Sequence, residues 1–212
     1  VIGNLGSLPQ LGAIAFGAMI FSFIYWSFGF LRMGTTGFTA QAAGAGDEAE
    51  VRAALGRALM VSVGLGLGII LLQWPLARFA LALLNGSAEV EALTRDYFRI
   101  RIWGAPATLS IFALTGCLIG LGRSRQLLMV QLFLNGVNIF LDVLFAAVLG
   151  WGVEGIALGT VMAEWLTVLL ACRLVFGVLR QRQADQEPFW SRSRIGDIGK
   201  LRQLMAANTD IL

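Results

Sequence analysis

The chain has 212 residues, of which 57% are hydrophobic and 14% charged, with a net charge of +3 and a mean hydropathy of +0.75. A soluble domain of this length has no way to bury so much apolar surface, so the chain reads as one that lives in lipid. With no histidine and no CxxC spacing, neither a zinc site nor a disulfide framework is indicated, and Cys117 and Cys172 read as small apolar core residues with no redox role.

Residues 1–10 carry Gly3, Gly6 and Pro9 but no initiator methionine and no charged leader, so they do not read as a signal peptide. Apolar runs of about 20 residues, enough to cross roughly 30 Å of hydrocarbon, then recur five times. They predict membrane spans at 11–31, 58–84, 102–122, 127–149 and 155–177. Arg32 closes the first run near its inner end, where a long side chain can snorkel. Glycines four apart, as at Gly116 and Gly120 or Gly155 and Gly159, and the set Gly64, Gly66 and Gly68, suit close helix packing in lipid. Pro75 is placed to kink the second span, and Pro106 falls in the first turns of the third, where its missing donor costs little.

Charge along the chain encodes orientation. Arg52 and Arg57 fall between the first two spans, Arg123 and Arg125 between the third and fourth, and seven more cations lie in or after the fifth, from Arg173 to Arg202. The opposite loops hold Arg78, Arg95, Arg99 and Arg101, so the positive-inside rule puts the richer side in the cytoplasm. Residues 179–203 break the apolar pattern and read as a cytoplasmic linker, solvated or lying on an anionic leaflet. Residues 204–212 turn apolar again as the chain stops. The expectation is a piece of a longer membrane protein, with residues 1–178 as a helical bundle.

Carboxylates at membrane depth are functional candidates by default, because each costs about 2.5–3.5 kcal/mol at the bilayer centre. Asp142 in the fourth span and Glu164 in the fifth qualify. Asn138, four residues before Asp142, shares its helical face. The short outer turn at 150–154 makes a hairpin of the last two spans, which brings Thr160 to about the depth of Asp142. A carboxylate, an amide and a hydroxyl converging there need a cavity or one another. Desolvation favours the neutral carboxylic acid, whereas water or a cation favours the ion, so a cavity that opens and closes would bind and release a proton or a metal ion. Glu164 ranks as a secondary candidate.

The runs FLRMGTTGFTAQAAGAGD at 30–47, RIRIWGAPA at 99–107 and NGVNIFLDVLF at 135–145 resemble the multidrug and toxic compound extrusion (MATE) transporters, specifically their DinF-like branch. The resemblance covers essentially the whole chain. It implies an all-α, polytopic transmembrane bundle of twelve helices in two six-helix lobes, of which this chain would hold the end of helix 1 through helix 6, the bridge between lobes at 179–203 and the start of helix 7 at 204–212. It further implies a cation-binding cavity at Asn138, Asp142 and Thr160, with the aspartate of the family's first helix falling before Val1. The implied function is antiport, not enzymatic catalysis: small organic, cationic compounds leave across the bacterial inner membrane as protons or sodium ions enter, sodium being held at Asp142 and Asn138. No cofactor beyond the coupling ion is expected, nor nucleic acid, and a lipid-embedded monomer is. The rival readings are a lipid-linked saccharide flippase, which needs several cations in its cavity, an intramembrane enzyme, and a structural half-channel.

Overall fold

The computed structural model describes residues 8–83, 87–183 and 188–206. Among them there is helix and no strand: α1 (Leu8–Trp26), α2 (Phe30–Gly44), α3 (Glu48–Leu71), α4 (Gln73–Leu83), α5 (Ala88–Arg101), α6 (Ala105–Gly120), α7 (Ser124–Asp142), α8 (Gly152–Arg182), α9 (Arg192–Ile195) and α10 (Ile198–Ala206). A 3-10 turn, Ile102–Gly104, joins α5 to α6, and a π-helical turn, Val143–Val148, extends α7. Five helical runs are long and apolar enough to cross a bilayer: Leu8–Gly44, Glu48–Leu71, Ala88–Gly120, Ser124–Val148 and Gly152–Arg182. Large apolar side chains point outward along them, as at Phe23 (72% exposed), Phe140 (65%) and Leu169 (67%). A bundle with that surface is a multi-pass membrane protein.

Among the described residues the number of spans is as expected, but four of the boundaries are not. The first run does not stop at Leu31. It passes a tight turn at Ser27, Phe28 and Gly29, held by bonds from Phe28 N to Tyr25 O and from Gly29 N to Trp26 O (both 3.0 Å), and continues as α2. The second begins ten residues earlier than expected, because Asp47 caps it, its Oδ1 accepting from Glu50 N at 2.9 Å. Arg52 and Arg57 are therefore helix residues, both buried, rather than loop residues. That run also ends earlier, at Leu71, and α4 follows after a break: Pro75 has no N–H to give to Leu71 O. The third run begins at Ala88, capped by the hydroxyl of Ser87, so Arg95, Arg99 and Arg101 lie on a helix and not in an outer loop.

Close approaches confirm part of the glycine pattern. On α6, a Cβ at Gly116 would stand 2.6 Å from Arg32 O and one at Gly120 would stand 2.7 Å from Thr36 O, so this face packs directly on α2. Gly64 and Gly68 face open space. Cys117 is buried and Cys172 half-buried, both as free thiols.

The segment after α8 is not a loose loop. Helix α8 runs to Arg182. Residues 188–206 then fold back on the α2–α3 end. Arg52 Nε donates to Phe189 O (3.1 Å), Arg57 Nη1 to Arg194 O (2.6 Å), Arg194 pairs with Asp47 (2.9 Å) and Lys200 with Glu50 (2.9 Å). Arg182 adds a two-pronged bond to Glu48 at 2.7 and 3.0 Å. Of the terminal stretch 204–212, residues 207–212 lie outside the described residues.

Candidate functional site

Helices α7 and α8 form the hairpin that builds the site. Its turn is short because Gly150 and Gly152 adopt φ of +71° and +55°, a region that disfavours other residues. Trp151 N reaches back to Phe145 O at 2.9 Å and Leu149 N to Leu144 O at 2.9 Å, so the last turn of α7 is widened into π geometry. Asp142 stands at the junction where α geometry ends.

Three polar side chains meet there. Asn138 Nδ2 donates to Thr160 Oγ1 at 3.1 Å across the helix pair and lies 3.5 Å from Asp142 Oδ1 on its own helix. Thr160 in turn donates to Ile156 O at 2.9 Å, leaving its lone pairs for the amide. Asp142 packs against Gly159, where a Cβ would be 2.6 Å from Oδ1. All three residues are half-buried. The structure thus brings Asn138, Asp142 and Thr160 into one group. Asp142 has a single long contact from the amide and no cationic side chain bonded to it among the described residues, so its carboxylate keeps acceptor capacity for a proton or a small cation. No group of three His, Cys, Asp or Glu side chains lies together among the described residues. Any metal ion here would be held by the mixed oxygen set of Asp142, Asn138 and Thr160, the donor type that hard cations take.

Glu164 belongs to a different arrangement, one turn deeper on α8. Arg101 faces it with two parallel bonds, Nη1 to Oε2 at 2.8 Å and Nη2 to Oε1 at 2.5 Å, and Thr108 donates to Oε1 at 2.7 Å. The Arg101 guanidinium also lies 5.2 Å from the Phe21 ring centre and 5.6 Å from that of Tyr25. Gly104 makes the pair possible: a Cβ there would collide with Glu164 Oε2 and lie 2.6 Å from Arg101 Nη1. Glu164 is therefore a neutralised, fully bonded carboxylate, and it is not brought to Asp142. Reading the third span as starting at Ile102 hid this partner one residue upstream. The signal for it was present, since Ser87 followed by Glu89 and Glu91, with no Gly or Pro before Gly104, marks a helix start at Ala88.

The MatE family model matches residues 1–144. DNA damage-inducible protein F of Escherichia coli K12 is 37% identical over 212 residues, all of this chain and 45% of that protein. The probable multidrug resistance protein NorM of Synechococcus is 29% identical over 201 residues, 90% of this chain and 41% of that protein. The chain thus spans about half the length of the curated relatives it matches. Among solved structures, the outward-facing conformation of a multidrug resistance MATE family transporter of the MOP superfamily gives a TM-score of 0.80 over 98% of this chain and 46% of that one, at 24% identity, which is a likeness of fold. The family-model match and the five-span helical architecture agree, and the chain belongs to the MatE family of multi-pass membrane proteins.

Proposed function

We propose that this chain is part of a secondary transporter, not an enzyme, that exports small organic, cationic compounds across the bacterial inner membrane in exchange for protons or sodium ions. Asp142 is the residue that takes up and releases the exchanged ion, with Asn138 and Thr160 holding it in place. The observation that carries the reading is the meeting of Asn138, Asp142 and Thr160 on the α7–α8 hairpin, with the carboxylate left open to a ligand while the only other carboxylate at this depth, among the described residues, is already bonded to Arg101. An acid that persists in lipid without a cationic partner has its use in changing charge. Matched relatives named for multidrug resistance and multidrug export supply the substrate class.

The test is drug efflux against an imposed pH or sodium gradient in proteoliposomes of the full-length protein. Asp142→Asn keeps shape and hydrogen bonding while removing titration, and is expected to lower coupled efflux at least about a hundredfold with folding retained. Transport at the wild-type rate with unchanged ion dependence would make the group a helix clasp and overturn the assignment.

A further inference from the structure

Arg32 is a cation that the described residues leave without an anion. Reading it at the inner end of a span predicts snorkelling, but α2 carries on for twelve residues to Gly44, a rise of about 18 Å that no side chain bridges. Its guanidinium instead lies over the Phe112 ring, 4.6 Å from the centre, and its Nε is buried with no hydrogen-bond partner among the described residues. No carboxylate among them pairs with it. A cation at this depth without an anion is costly.

Arg32 lines an open cleft of about 790 Å³ between the α1–α2 turn, α6 and α8. Among the described residues the cleft has three charged ones, Arg32, Arg101 and Glu164. The last two cancel in their bidentate pair, and Thr108 occupies Glu164 further, so the net charge that the described residues offer to a ligand is the single positive charge of Arg32. The rest of the wall is largely apolar, including Trp26, Phe30, Met33 and Phe112. One unpaired cation in an apolar cleft of drug-sized volume is a receptor for a molecule with an anionic head and an apolar body.

We propose that this cleft is a second ligand site, distinct from the Asp142 group, that binds amphiphilic organic anions through Arg32. The site goes beyond the export of cationic compounds, and its binding step does not depend on that reading. Phosphate headgroups stay at the membrane surface, so the ligand at this depth is a free carboxylate or sulfonate rather than a phospholipid.

The test uses the full-length protein in nanodiscs of zwitterionic lipid, with dansylaminoundecanoate as the probe and its uncharged primary amide as the control. Wild type is expected to bind the carboxylate at least about tenfold more tightly than the amide. Arg32→Gln should level the two and Arg32→Lys should keep most of the preference. Equal binding of the two probes by wild type would show that another group of the full-length chain neutralises Arg32 and would overturn the site, as would a preference that survives Arg32→Gln. Should Arg32→Gln not fold, Phe112→Glu sets a carboxylate against the guanidinium and must abolish the preference, and a retained preference overturns the proposal. Displacement of the probe by phosphatidylglycerol added to the discs would also overturn it, in favour of a lipid site. Efflux of ethidium, a cationic dye, is measured in parallel. Its absence in wild type speaks against the export reading alone.

Discussion

Arg101 and Glu164 are joined by two parallel hydrogen bonds across α5 and α8, with both side chains less than a tenth exposed. Breaking a buried pair from one side leaves an uncompensated charge, which costs about 3–5 kcal/mol. Glu164→Gln and Arg101→Gln are each expected to lower the thermal midpoint of the full-length protein in detergent. The double change Arg101→Met with Glu164→Leu should recover much of the loss, because an apolar pair of similar volume has no charge to desolvate. A single variant that melts with wild type would show that the pair does not hold α5 to α8.

How much of this was legible in the sequence depended on which physical signal each element carries. Hydropathy counts spans well, because lipid imposes one length on all of them. It places their ends poorly, because helices extend past the apolar stretch into capped, charged turns. The Asp47 and Ser87 caps show this, each adding more than two turns to the expected span. The meeting of Asn138, Asp142 and Thr160 was readable because it depends only on helical spacing and a short turn. The Arg101–Glu164 pair depends on how α5 crosses α8, and a crossing angle leaves no local mark in either helix. Glu164 ranked second for that reason, since the groups that bond it, Arg101 and Thr108, lie on other helices.

Gly159 gives a steric test of the site that leaves its polar groups in place. Because a Cβ there would stand 2.6 Å from Asp142 Oδ1 and 3.2 Å from Asp142 N, Gly159→Ala is expected to push α7 from α8 and break the Asn138 to Thr160 bond. Coupled efflux should fall about tenfold or more, as expected when a site group is displaced by about 1 Å. Gly64→Ala, which faces open space, should be silent. Equal efflux by the two variants would mean that close contact at Gly159 does not set the site.

Orientation can be read chemically. The cations Arg52, Arg57, Arg182, Arg194 and Lys200 gather with the 188–206 segment at one end of the bundle. The positive-inside rule predicts that this end faces the cytoplasm. Cysteines at Ser87 and Ser193, both exposed, are expected to react with an impermeant maleimide in intact cells at position 87 and only after permeabilisation at 193. The reverse pattern would invert the topology.

Asp47 ties two elements together. Its carboxylate caps α3 through Glu50 N and pairs with Arg194 of the folded-back segment. The Glu50 N–H bond, and after it Arg194, hold its pKa below the ordinary 3.8 despite some opposing desolvation. A carboxyl group whose folded value is depressed adds stability at pH values above its unfolded value and loses it as pH falls through the folded one. The arginine stays charged throughout. The Asp47 contribution should therefore be constant from about pH 5 to 8 and fade only below pH 4. Asp47→Ala removes the cap, at a cost of about 1 kcal/mol, together with the link to Arg194. Cleavage by trypsin after Arg192 and Arg194 should then rise about fivefold at pH 8 in the full-length protein, following the population of the released segment. Wild-type hydrogen exchange in 188–206, corrected for the intrinsic rate, should be the same at pH 6 and pH 8. A protection that changes between those values would place its control on a group other than Asp47, and unchanged cleavage of Asp47→Ala would mean that Lys200, Arg57 and Arg52 hold the segment without it.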